Sequence, residues 1–150
     1  MDTDRLMEFL AREGFRPALA GPGDVHFKFE GGSYGIWLPP TDDQYVAISF
    51  PKFWKIGSPE EELRALRAAH DATLHTKVAQ ITIMPEQWVW AEIQMFITAP
   101  EQLEAILARC LDTLKYAVSR FVEAMRKSEP LPDKRIELRR EEVARWTSKN

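Results

Sequence analysis

With 150 residues, 45% of them apolar and 29% charged, the chain has the composition of one soluble globular domain, long enough to bury its own core. A net charge of −3 and a pI near 5.7 exclude the global basic excess that draws proteins to nucleic acid or anionic membranes. The single cysteine, Cys110, excludes an internal disulfide framework and suits a reducing compartment.

The first residues, MDTDR, are acidic and lack the apolar run of a signal peptide. No window approaches the roughly 18 consecutive apolar residues of a membrane span, so a cytoplasmic chain is expected, with no membrane partner. A first helix is predicted from Asp2 or Thr3 to Glu13, on the spacing of Leu6, Phe9 and Leu10. Gly14 is its stop, and Phe15 supplies the hydrophobic contact of the cap. The cluster from Gly21 to Asp24 reads as a turn.

Three strands follow. Val25 to Glu30 puts Val25, Phe27 and Phe29 on one face. Ser33 to Leu38 does the same with Tyr34, Ile36 and Leu38, and Gln44 to Phe50 with Val46, Ile48 and Phe50. Period two with turn punctuation predicts an antiparallel meander. The period then changes. Ser58 is an N-cap, Pro59 sits at the first helical position and Glu61 completes a capping box. Leu63, Leu66, Ala69, His70 and Thr73 share one side of this second helix.

Two more strands are predicted at Lys77 to Met84 and Trp88 to Phe96, joined by a short turn at Pro85-Glu86-Gln87. A capping box at Thr98 and Glu101 opens a long helix from Pro100 to Lys127, roughly 42 Å at ~1.5 Å per residue. Its stripe runs through Leu103, Ile106, Leu107, Cys110, Leu111, Leu114, Val118, Phe121, Val122 and Met125. Ser128 to Asp133 breaks the pattern. The predicted architecture is α+β: a five-stranded antiparallel sheet in the order α-β-β-β-α-β-β-α over residues 1–128. A charged tail, 129–150, reads as a short helix capped by Asp133.

Gly31-Gly32-Ser33-Tyr34-Gly35 matches G-x-S-x-G, the nucleophile elbow of serine hydrolases. An elbow needs a helix after the serine, and here a second alternating segment ends in Pro39-Pro40. A hydrolase of that type also needs a late histidine, and the three histidines are His26, His70 and His75. A hairpin with Gly31-Gly32 as its two-residue loop explains more. It pairs Phe29 with Tyr34, Phe27 with Ile36 and Val25 with Leu38. A one-residue slip would turn every core side chain to the wrong face.

His70 and His75 lack the i, i+4 spacing of a zinc pair, and His70 reads as a hydrogen-bonded core histidine. Cys110 lies in an apolar stripe and reads as buried and inert, and Glu92 has no acidic partner in its strand. No catalytic residue, no metal site and no cofactor is expected.

The opposite sheet face is unusual. Its residues include Trp37, Tyr45, Met84, Trp88 and Trp90. A solvated sheet face should be polar, and tryptophan and tyrosine are enriched at protein interfaces. These five residues are therefore the candidate partner-binding or dimer surface, unless the second helix or the tail covers them.

The stretches FKFEGGSYGI (Phe27 to Ile36), FPKFWKI (Phe50 to Ile56) and VWAEIQMFI (Val89 to Ile97), with Gly14-Phe15 and the long helix, carry a resemblance. Over about Thr3 to Lys127 the chain resembles the YbjN-type family of sensory transduction regulators. That family is similar in fold to the type III secretion chaperones. The resemblance implies a cytosolic, non-enzymatic homodimer that binds another protein. In the chaperones the dimer is often built by the second helix and the strand after it, here Pro59 to Thr76 and Lys77 to Met84.

An alternative is a nucleic-acid-associated regulator working through the tail. From Lys134 to Asn150 there are six Lys and Arg residues against three Glu, and Arg135, Arg139, Arg140 and Trp146 are its candidate contacts. A solvated, mixed-charge helix explains the same residues.

Overall fold

The computed structural model describes residues 2–127; the expected tail, 129–150, with Arg135, Arg139, Arg140 and Trp146, lies outside them. The chain runs α1 (Thr3–Arg12), β1 (Ala18–Gly21), β2 (Asp24–Phe29), β3 (Gly32–Trp37), β4 (Tyr45–Lys55), α2 (Pro59–Leu74), β5 (Gln80–Ile83), β6 (Trp88–Phe96), α3 (Pro100–Lys127). The strands form one antiparallel sheet in the order β1-β2-β3-β4-β6-β5.

The sheet therefore has six strands, where the sequence pattern predicts five. The additional one, β1, is a short edge strand with its residues exposed or half-exposed. With neither face buried it carries no apolar alternation, which is the signal that reveals a strand. The turn cluster after it, from Gly21 to Asp24, closes the β1–β2 hairpin.

The helix ends follow local chemistry. Asp2 caps α1, accepting from Arg5 N at 2.8 Å. Gly14 takes φ +89° past its end, and Phe15 N donates to Leu10 O at 2.9 Å. Phe15 then packs edge-on against Phe27 and Phe29, with ring centroids 5.0 and 5.7 Å away. Ser58 caps α2 through Glu61 N at 3.2 Å. The Glu61 carboxylate accepts from Gly57 N at 2.7 Å and from Trp54 Nε1 at 2.9 Å, tying the end of β4 to the start of α2. Those two bonds, the backbone one first, hold its carboxyl below the usual range. At α3 the predicted Thr98–Glu101 box is replaced: the Gln102 side chain accepts from Thr98 N at 2.7 Å. Glu101 instead pairs with Arg5 at 2.5 Å.

The β2–β3 hairpin is present, with its turn one residue earlier than predicted. Glu30 and Gly31 take the positive φ values, 45° and 80°, and the register pairs Phe27 with Tyr34 and Val25 with Ile36. The shift moves each partner by two residues. The faces are therefore preserved, and Val25, Phe27, Tyr34, Ile36 and Leu38 are all buried as expected. Ser33 is exposed on β3, with strand on its C-terminal side, so the elbow geometry is absent.

All three helices contribute to one core on this inward face. Leu6, Phe9 and Leu10 enter it from α1, and Leu103, Leu107, Leu111, Leu114 and Phe121 from α3. From the sheet come Ile36, Val46, Ile48, Val89, Ala91 and Ile93, each fully buried. Cys110 is buried, and burial pushes its thiol above the ordinary value.

The expected face of α2 holds at Ala69 and fails at its other members. The buried residues are Ala65, Ala68, Ala69 and Ala72, while Leu63, Leu66 and His70 are exposed and Thr73 is half-buried. Small side chains let α2 approach α3 closely, so the alanines go inward and the leucines stay outside. His70 is thus not a core histidine.

Tyr34 offers a pH test of this core. Burial first, with the charges of Glu30 and Asp112 second, pushes its phenol from 10.0 up to about 12. The folded state favours the neutral phenol, so its contribution is whole below pH 10 and is lost as the pH climbs through about 12. Chemical denaturation across that range should show a fall in stability that Tyr34→Phe removes. An unchanged fall in that variant would show that Tyr34 ionisation is not its cause.

Candidate functional site: the outer face of the sheet

The strand residues between the core positions face away from the helices. On the central strands they form a concavity of about 490 Å³. Trp37, Tyr45, Ala47 and Trp90 supply its apolar wall, and Asp24, His26, Ser49, Lys52, Glu92 and Gln94 its polar groups.

Register explains the gathering. Trp37 pairs with Ala47, which lies two residues from Tyr45, and Tyr45 pairs with Phe96. The Trp37 and Tyr45 rings meet edge to face at 6.1 Å, and Tyr45 and Phe96 at 5.9 Å. Trp37 is 45% exposed and Phe96 76% exposed. Burial, with the Glu92 carboxylate second, holds the Tyr45 phenol above its ordinary value.

Trp90 owes its setting to a bulge. Phe50 pairs with Ala91 and Trp54 with Val89, so Pro51, Lys52 and Phe53 stand opposite Trp90 alone. Lys52 takes φ +53° to make this turn within the strand. Proline cannot donate to a ladder, and Pro51 falls where the ladder is interrupted. The bulge brings Pro51 and Lys52 to the wall of the concavity beside Trp90. The Trp90 indole Nε1 is buried and has no hydrogen-bond partner among the described residues. A buried donor left without a partner costs about 1–3 kcal/mol.

The polar groups are partly engaged with each other. His26 Nε2 lies 3.1 Å from Asp24 Oδ1, and Gln94 Nε2 donates to Glu92 Oε2 at 3.1 Å. The surface offers aromatic faces and carboxylates beside a lysine. That is the chemistry of a recognition surface. Among the described residues, no three His, Cys, Asp or Glu side chains gather as a metal set.

Of the five residues singled out from the sequence, Trp37, Tyr45 and Trp90 come together here. Met84 and Trp88 do not line the concavity. Both are half-buried at the β5–β6 turn, where Met84 N donates to Trp88 O at 2.8 Å and Lys55 Nζ sits 5.1 Å over the Trp88 ring. The sequence reading missed the part played by Pro51 and Lys52. A proline one residue beyond an alternating run was the available sign of a bulge.

A second apolar surface was also missed. Leu63, Leu66 and Leu74 form an exposed stripe on α2, with Leu66 52% and Leu74 68% exposed. Val78, exposed just before β5, takes φ +59°, strained for a β-branched residue.

Among the described residues the fold and surface define a mixed α+β protein in which an antiparallel sheet carries three helices on one face and an aromatic hollow on the other. No family model matches the chain, and no curated protein matches it. The crystal structure of an uncharacterized protein from Methanothermobacter thermautotrophicus is similar to it, with 12% identity and a TM-score of 0.50, over 83% of this chain and 94% of that one. The likeness is one of fold. No helix among the described residues is long and apolar enough to cross a membrane.

Neighbouring residues on opposite faces should behave differently. Ile36→Ser places a hydroxyl in the core and should cost about 3–5 kcal/mol. Trp37→Ser, one residue on, should cost about 1 kcal/mol. Urea denaturation of the two variants gives the comparison, and equal losses would contradict the assignment of faces.

Proposed function

We propose that this chain is a non-enzymatic protein-binding module of chaperone-like or regulatory type, acting as a homodimer in the cytoplasm. The observation that carries the reading is the outer face: Trp37, Tyr45 and Trp90 around a hollow that no helix of the described residues covers. Aromatic residues of this kind anchor protein interfaces. The resemblance to the YbjN-type family and the secretion chaperones adds the same expectation.

The two apolar surfaces divide the work. The leucine stripe on α2, with Val78 and the short edge strand β5 beside it, supplies the dimer contact, as the chaperone resemblance implies. The aromatic hollow on the far side of the sheet then remains open to the partner protein.

Sedimentation and affinity capture separate these roles. Leu66→Glu should convert a dimer at micromolar concentration into a monomer. Trp37→Ser with Trp90→Ser should leave the dimer intact and abolish capture of the partner. A monomeric native chain would remove the dimer from this account. Unchanged capture by the folded double variant would remove the hollow as the docking surface.

A further inference from the structure

A second concavity of about 490 Å³ lies toward the β1 edge of the sheet, beside the aromatic hollow, and its charge is of one sign. Gly14, Arg16, Ala18, His26, Lys28 and Ser33 line it, and His26 is common to both. We propose that it is a binding site for a small phosphate monoester, held by its phosphate group. This goes beyond the protein-binding reading and does not depend on it.

Register and the loop after α1 bring the donors together. Ala18 pairs with His26, His26 with Gly35, and Lys28 with Ser33. Residues directly opposite share a face, and Phe27 is buried in the core, so His26, Lys28 and Ser33 stand together on the outer side. Gly35 leaves room for the imidazole: a Cβ there would lie 3.3 Å from the His26 ring. Gly14, at φ +89°, turns the chain out of α1 and brings Arg16 into the lining.

Charge selects the ligand. The chain has more acid than base, 23 Asp and Glu against 20 Lys and Arg, yet no carboxylate lines this concavity. Arg5, Arg12, Lys115, Arg120 and Lys127 each meet a carboxylate. Arg16 and Lys28 meet none among the described residues. The acids nearest in sequence are engaged elsewhere. Glu30 pairs with Lys115 on α3, and Asp24, 3.1 Å from His26 Nε2, lines the hollow instead. The concavity beside Lys77 and Arg109 contains Asp112 and lacks this one-sided charge. Two permanent cations match a phosphate dianion, whose oxygens accept from the Arg16 fork, the Lys28 ammonium and the Ser33 hydroxyl. Phe15 and Ala18 give the organic part of the ester an apolar wall. The volume is in the range of small-molecule sites, ~300–1,000 Å³.

Phenyl phosphate titrated into the isotope-labelled full chain at about pH 7.5, where it is a dianion, tests this. The backbone amides of Arg16, Lys28 and Ser33 should shift and saturate, with a dissociation constant of about 1 mM or below. Arg16→Gln with Lys28→Gln should weaken binding by at least about tenfold and leave the core signals in place, since both side chains are exposed. Benzenesulfonate, a monoanion of similar shape, should bind more weakly than the phosphate. A shift that does not saturate, or equal affinity in the folded double variant, would overturn the proposal. So would shifts centred on Lys77 and Arg109. Inorganic phosphate binding as tightly as the ester would overturn the assignment of an ester.

Discussion

The packing of α3 against the inward face of the sheet is the contact on which the rest of the structure depends. Leu103, Leu107, Leu111, Leu114 and Phe121 are buried along one side of a 28-residue helix, against strand residues that are themselves fully buried. Because side chains alternate along a strand, fixing one face fixes the other. Once Ile36 and Ile48 go to α3's side, Trp37 and Ala47 go to the opposite side. The aromatic outer face is thus a direct consequence of the core, and no register shift by one residue could hide it without exposing the core instead.

The hollow on that face needs more than alternation. The bulge in β4 sets three residues against Trp90 and places Pro51 and Lys52 in the wall of the hollow, beside an indole whose buried donor has no partner among the described residues. Glu61 braces the same region from the helix side through Trp54 Nε1. Positive φ at Lys52 and a buried donor without a partner are both unfavourable, and sites that keep such features are often sites that meet a ligand. On α2 the arrangement is inverted in another way: the small residues face the core and the leucines face out. The domain thus carries two apolar surfaces, one on each side of the sheet.

Much of the fold was legible in the sequence, because periodicity reports burial. The faces of β2, β3, β4 and β6 were readable from alternation, and α3 from its stripe. The strand β1 was not, because an edge strand with no buried side chain has no alternation to read. The hairpin turn was misplaced by one residue because Gly31-Gly32 looks like the ideal loop, whereas the chain accepts Glu30 at φ 45°. In α2 the spacing put Leu63, Leu66 and His70 on one side with Ala69, and packing against α3 selected the alanines instead. Trp37, Tyr45 and Trp90 could be grouped from alternation alone. Met84 and Trp88 share that face, yet the β5–β6 turn carries them away from the hollow.

Hydroxyl-radical footprinting of the partner-bound protein, read at Trp37 and Tyr45, tests the docking role of the outer face most directly. The account predicts that both rings are oxidised far more slowly in the complex than in the free folded protein. Oxidation of both at the free-protein rate, with the core residues still protected, would contradict it.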